Sequence, residues 1–347
     1  MKVLFIETCG ALGGAQRSLL ELAVALSRRG ISPRVATPAG ALADALQAAN
    51  IPAHTLPEII PGQWLRGLLR WPGAERALRR AIDAAQPGIL HANSITSGFL
   101  LYNVPDTAPR VLHVRDLQFN PALLRLAARR ARAVVAISPR VQERLRDCGV
   151  NSVLIQNGIN TAHFCLLPFA FCPSPPRVAM VAQWAKWKRH DIFLRMAPLL
   201  RKEIPGVEIL LLPGNSGNAP RWEKSMRRLA AENGVEILPF TPDMPDFYAT
   251  LSLLVHPTCN EPFGRVIYEA LATGVPVVTR QDYNLPPPCV LVGNDDPVAF
   301  ANAAANLLRQ RTPENVVAWR AACHKVAAAF DINTTAEKCG ALYRSVG

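Results

Sequence analysis

Long apolar runs are missing from this 347-residue chain. No stretch reaches the roughly 18 residues that a bilayer-spanning helix needs, so a membrane anchor is not expected. Paired cysteines are missing too. The eight cysteines (Cys9, Cys148, Cys165, Cys172, Cys259, Cys289, Cys323 and Cys339) contain no C-x2-C unit and lie scattered in apolar contexts. That argues against a zinc site or a disulfide framework and fits a reducing cytoplasm. The opening Met1-Lys2-Val3-Leu4-Phe5-Ile6-Glu7 is charged too soon and apolar too briefly for a secretory leader, and reads as a buried first strand. Aromatic residues make up 7% and do not interleave with basic ones as a base-stacking platform would. With no nucleic-acid motif present, no nucleic-acid partner is expected.

Half of the residues are hydrophobic, and the length suits two domains of ordinary size. The net charge of +12 is uneven: residues 1–163 hold 19 Lys+Arg against 10 Asp+Glu. An electropositive first half points to an acidic partner, with a membrane surface or phosphorylated lipid favoured over nucleic acid.

Strand and helix signals alternate from the start, at 2–8, 14–29, 34–37, 41–49, 89–92, 110–114, 123–131, 133–137, 139–148 and 152–155. This rhythm predicts an α/β fold with a doubly wound parallel sheet and ligands at the carboxyl ends of the strands. Residues 166–176, rich in proline and without periodicity, read as a linker. A second series follows at 177–181, 191–202, 207–212, 221–233 and 235–238, and continues to helices near 297–309, 313–329 and 334–345. No sequence repeat is visible. The expected division is 1–165, a linker at 166–176, 177–330, and a terminal segment at 331–347.

The stretch that organises this second half is 253–279. It reads as strand 253–256, loop 257–263, helix 264–273 and strand 275–279, with Gly274-Val275-Pro276 closing the helix. Pro262 and Gly264 sit where strand hands over to helix. The backbone N–H groups of Phe263, Gly264 and Arg265, with the positive end of the helix dipole behind them, form an expected phosphate site. Glu261 and Glu269 frame it, roughly 8–12 Å apart along the helix axis. That span suits a ligand with hydroxyls at both ends and phosphates between, such as a nucleotide-sugar. The competing reading is a plain strand–helix unit with two solvated glutamates.

Glu261-Pro262-Phe263-Gly264 followed by Glu269-Ala270 resembles the donor-site signature of retaining GT-B glycosyltransferases, notably glycosyltransferase family four. The tandem halves resemble the GT-B fold over the whole chain: two Rossmann-like doubly wound domains facing across a cleft. By that resemblance the first domain binds the acceptor and the second the nucleotide-diphosphate sugar, and a terminal helix crosses back to the first domain. The reaction keeps anomeric configuration and needs no metal or other cofactor. The expected acceptor is anionic, lipid-linked or a glycan, as in cell-surface glycan or glycolipid synthesis. The expected setting is cytoplasmic, with peripheral contact on the inner membrane face through the basic first domain. Two alternatives stand beside this: a catalytically inactive sugar-nucleotide-binding or scaffold protein, and a sugar-nucleotide epimerase.

The resemblance extends to other segments. Gly10-Ala11-Leu12-Gly13-Gly14-Ala15 follows the first strand and opens a helix. It is either a tight turn or a backbone approach to phosphate or sugar. Its spacing excludes the dinucleotide fingerprint, and in the family this loop, here with Gly13 and Gly14, faces the donor. His113 and Arg115 share one face of a strand end, where the family carries a histidine beside the donor sugar and leaving phosphate. Aligning Asp116 with the acidic residue that often follows puts Arg115 in that place, and both assignments stay open beside a structural role for His113. Asn157-Gly158-Ile159-Asn160 resembles the family's segment before the linker.

After the first strand of the second half, Lys188 matches the lysine that grips the diphosphate. Ala182-Gln183 stands where the family has Gly-Arg. Gln183 can still donate a hydrogen bond but brings no charge, and Lys186, Arg189 or Arg265 are the candidates to compensate. A second departure is 280–289, shorter than the family's segment with a glycine pair and glutamate. Residues 64–71 with Arg76–Arg80 are basic and tipped by tryptophan. They read as a helix over a core, or as an interface, interrupted at Pro72-Gly73.

Overall fold

The computed structural model describes residues 1–59, 64–164, 174–214, 220–239, 241 and 244–347, with backbone only for residues 64–70. Residues 165–173 lie outside the described residues, and with them most of the linker expected at 166–176. Two compact units emerge: Met1–Ile159 with Phe330–Gly347, and Asn160–Ala329.

The first unit is built on seven parallel strands: β1 (Lys2–Ile6), β2 (Ser32–Thr37), β3 (Ala53–Thr55), β4 (Ile89–Ala92), β5 (Arg110–Val114), β6 (Ala133–Ala136) and β7 (Val153–Leu154). Among the described residues their order is β3-β2-β1-β4-β5-β6-β7. β4 and β5 are buried along their whole length, as parallel strands covered on both faces must be. One core joins Val3 and Phe5 of β1 to Leu19, Leu22 and Leu26 of helix Gly14–Arg28. Ile332, Ala336, Cys339 and Tyr343 complete it from the terminal helix Ile332–Val346, which packs on helix Gly14–Arg28.

Pro72 does not interrupt the basic stretch. Helix Trp64–Ala85 runs through it. Ala74, Leu78, Ala81, Ile82 and Ala85 form a buried stripe, and burying that face outweighs the local cost of proline. Arg76, Arg79 and Arg80 stay exposed. Helix Ile95–Tyr102, capped by Ser94, carries too weak a polar–apolar contrast to stand out in sequence.

The second unit holds six parallel strands: β8 (Arg177–Ala182), β9 (Glu208–Pro213), β10 (Glu236–Ile237), β11 (Leu253–His256), β12 (Val277–Arg280) and β13 (Val290–Val292). Their order is β10-β9-β8-β11-β12-β13. Strands β8, β9 and β11 pack Val178, Met180, Leu211, Leu253 and Val255 against helices His190–Glu203 and Pro297–Arg309 through Phe193, Met196, Phe300 and Ala304. Each sheet reverses its winding once, at β1/β4 and at β8/β11. Loops leaving neighbouring strands in opposite directions open a crevice there at the carboxyl ends.

Candidate functional site

In the second unit the crevice is built by the loops that follow β8 and β11. After β8 the chain passes exposed Gln183, forms a short turn at Lys186–Lys188, and enters helix His190–Glu203 through Arg189 in the left-handed region (φ 55°). After β11, residues 257–264 lead to helix Arg265–Ala272. Cys259 N–H donates to Trp187 C=O at 3.1 Å, fastening the two loops together. Gly264 precedes the helix at φ 82°, a conformation that a side chain resists, and no side chain caps this helix. A Cβ on Gly264 would lie 3.1 Å from the Tyr283 ring.

Lys188 and Glu261 meet here. The Lys188 ammonium is ion-paired with Glu261 Oε2 and lies 4.0 Å from the centre of the Trp187 ring. Behind them is His256, the last residue of β11, fully buried with Nε2 3.7 Å from Glu261. Burial works against ionisation of Glu261. The Lys188 charge and the His256 imidazole outweigh it and hold the carboxyl at about 2. Burial lowers the His256 imidazole below its ordinary value, Glu261 opposing and Lys188 adding to the shift. Glu261 is therefore a permanent anion, suited to stabilise positive charge rather than to donate a proton.

Glu269 lies one turn into the helix and is buried. Its Oε1 pairs with Arg265 at 3.0 Å and its Oε2 accepts the Tyr248 hydroxyl at 3.1 Å. Phe263 stacks on Tyr268 with ring centres 4.6 Å apart. Of the candidate replacements for the missing arginine, Arg265 is engaged by Glu269, and Arg189 by Asp191 at 3.1 Å and by Asp295. Lys186 is exposed with no ion pair among the described residues. The shortened segment after β12 forms a turn at Gln281–Tyr283, which places the Tyr283 ring 6.0 Å from His256.

In the first unit Gly13 and Gly14 are exposed at the start of helix Gly14–Arg28. Gly10 is required for packing, since a Cβ there would sit 2.6 Å from Ala39 C=O. Beneath this loop runs a buried polar chain. Glu7 Oε1 accepts the N–H groups of Thr8 and Cys9 at 2.8 and 3.1 Å, and Oε2 accepts Asn93 Nδ2 at 2.7 Å. Arg115 donates to Asn93 Oδ1 at 2.8 Å and to Asn157 Oδ1 at 3.2 Å, with its third nitrogen 3.3 Å from His113 Nδ1. Asn157 continues to Ser18 Oγ at 2.9 Å.

His113 and Arg115 do share a face, but it is the face covered by the terminal helix. His113 is fully buried and Arg115 is 5% exposed. His113 packs inside the unit, and Arg115 holds the Asn93 and Asn157 side chains at the strand ends. Both lie buried beside the terminal helix, whose residues stand far downstream in the chain. Sequence reasoning missed Glu7, Asn93, Tyr248 and His256. A polar residue ending an otherwise apolar strand, as in Leu253-Leu254-Val255-His256, was the available signal.

Two parallel-sheet Rossmann-like units with loop-built crevices define a GT-B-type glycosyltransferase fold. Residues 12–163 match the model for Glycosyltransferase Family 4, and residues 175–310 match that for Glycosyl transferases group 1. The chain belongs to this glycosyltransferase family. Among its relatives, the D-inositol 3-phosphate glycosyltransferase of Mycolicibacterium paratuberculosis is 32% identical over 179 residues, spanning 48% of this chain and 40% of that protein. The Corynebacterium urealyticum protein of the same description is 29% identical over 183 residues, 49% of this chain and 43% of that one. The chain thus spans less than half the length of these relatives. The HepE protein of Anabaena, solved in complex with UDP-glucose, matches with a TM-score of 0.84 at 21% identity over 99% of this chain and 100% of that one. Sucrose-phosphate synthase from Thermosynechococcus elongatus matches with 0.80 at 20% identity, over 99% and 98%.

Proposed function

We propose that this chain transfers a sugar from a nucleotide-diphosphate sugar to an acceptor, with retention of configuration and without a metal. The observation that carries this reading is the meeting of Lys188 and Glu261 at the β8/β11 crevice, beside the uncapped helix that starts after Gly264. Lys188 and that helix N-terminus would take the leaving diphosphate and stabilise its developing charge. Glu261, charged at any working pH, would stabilise the positive charge that grows on the sugar as its glycosidic bond breaks. Glu269, braced by Arg265 and Tyr248, would take the ribose hydroxyls. The relatives are D-inositol 3-phosphate glycosyltransferases by name, which agrees with a phosphorylated acceptor.

The acceptor would be anionic or lipid-linked, in cell-surface glycan or glycolipid synthesis at the inner membrane face. No helix among the described residues is long and apolar enough to cross a membrane. A groove of about 810 Å³ in the first unit supports peripheral contact: exposed Arg125, Arg129 and Arg132 line it beside Leu126, Val150 and Val153. It sits at the strand-start edge of β6 and β7, away from the loop of Gly13.

The second reading, a binding protein without turnover, is favoured by one observation: uncharged Gln183 where the family carries arginine. Incubation with a panel of UDP-, GDP- and ADP-sugars separates the possibilities. Slow release of free sugar and nucleoside diphosphate supports the transferase. Tight binding without turnover supports the inactive protein, and an epimerised sugar-nucleotide would replace both.

A further inference from the structure

Resting on that donor-site reading, we propose that the Lys188–Glu261 ion pair is a charge-exchange filter, making recognition of the diphosphate conditional on recognition of the attached sugar. The two side chains reach each other from loops of different strands, and each is only 11% exposed. Among the described residues neither has another fully charged partner. Lys188 otherwise faces the Trp187 ring, and Glu261 otherwise faces His256, whose buried imidazole is neutral.

Each charge thus satisfies the other, and a ligand must satisfy both to replace the pair. A nucleoside diphosphate alone offers oxygens to Lys188 but nothing to Glu261. Binding it strands a buried carboxylate beside a neutral ring, which is far costlier than leaving the pair closed. A nucleotide-sugar offers phosphate oxygens to Lys188 and hydroxyl donors to Glu261 together, so the exchange is balanced. Once the sugar has been transferred the hydroxyls leave, Glu261 reclaims Lys188, and the diphosphate is expelled. The same pair would select the complete donor and promote product release.

Calorimetric titration of the wild-type chain and of Glu261→Gln, with UDP, GDP and ADP and with their glucose conjugates, tests this. Removing the carboxylate's charge frees Lys188, so the free diphosphate should gain about tenfold or more in affinity. The matching sugar-nucleotide should gain nothing, having lost its contact with Glu261. Lys188→Met should weaken both ligands in parallel. A free diphosphate bound no better, or worse, by Glu261→Gln while the wild-type chain binds the sugar-nucleotide overturns the filter and leaves the donor reading standing. Binding of none of the six ligands by any variant overturns both. Thermal unfolding checks that Glu261→Gln is folded. Glu261→Asp, which draws the carboxylate back from the ammonium, should shift the same ratio in the same direction, and an unchanged ratio there also counts against the filter.

Discussion

His91 Nε2 lies 3.1 Å from His113 Nδ1, and neither ring is exposed. His91 Nδ1 in turn lies 2.8 Å from the Tyr343 hydroxyl of the terminal helix. A proton arrangement with both rings neutral fits this row. Tyr343 donates to His91 Nδ1, His91 donates from Nε2, and His113 Nδ1 accepts that N–H, with an Arg115 nitrogen 3.3 Å away on its other side. Both histidines are neutral in this arrangement, and the row fixes strands β4 and β5 to the terminal helix.

Acid should therefore loosen the first unit. Burial, with Arg115 adding, lowers the His91 imidazole to about 3, and the same causes push His113 well below its ordinary value. The unfolded chain takes up both protons below about pH 6.5, while the folded one does not. Stability is then complete above that pH and falls as pH drops below it, because the unfolded chain binds protons there that the buried rings refuse. Denaturant midpoints at pH 7 and pH 5 measure this. A midpoint that does not move would show that the rings are protonated in the folded state or open to solvent.

Gln183→Arg should tighten donor binding. Two of the cations that could compensate, Arg189 and Arg265, are already paired with carboxylates. A restored guanidinium at this exposed position should add about 1–2 kcal/mol through a charge-assisted hydrogen bond to phosphate. Calorimetry with the sugar-nucleotide that the panel identifies gives the answer. Weaker binding would mean that glutamine is fitted to the pocket as it is.

Charge reversal in the arginine groove should act on surface attachment. Replacing Arg125, Arg129 and Arg132 together with glutamate should reduce co-sedimentation with anionic phospholipid vesicles, at about 1 kcal/mol for each basic residue removed. Attachment of the wild-type chain should weaken as salt rises. Equal attachment to neutral vesicles at low and high salt would contradict this.

Much of the strand framework was legible because central parallel strands are short apolar blocks. β4, β5 and β11 could be bounded to the residue from 89–92, 110–114 and 253–256 alone. The helix after Gly264 and its two glutamates were legible because glycine, proline and carboxylates stand at fixed offsets. The burial of His113 and Arg115 was not. Spacing by two shows a shared face, but which face is covered depends on Tyr343, far along the chain. Helix Trp64–Ala85 hid behind Pro72, a local signal overridden by a buried stripe. The pairing of Lys188 with Glu261 needed the β8/β11 adjacency, which sequence order alone does not show.

The central claim is that Glu261 faces the transferring sugar while Glu269 holds the nucleoside, and kinetics of two single variants test it most directly. Glu269 would contact a part of the donor that does not change during reaction. Glu269→Gln should then raise the donor KM with little change in kcat, and Tyr248→Phe should do the same more weakly. Glu261→Gln should mainly lower kcat, since its charge is needed most when positive charge develops on the sugar. If Glu261→Gln leaves kcat intact while Glu269→Gln abolishes it, the donor lies the other way round and the account is wrong. If neither matters beyond a few tenths of a kcal/mol in stability, both are structural carboxylates and the crevice is not the donor site.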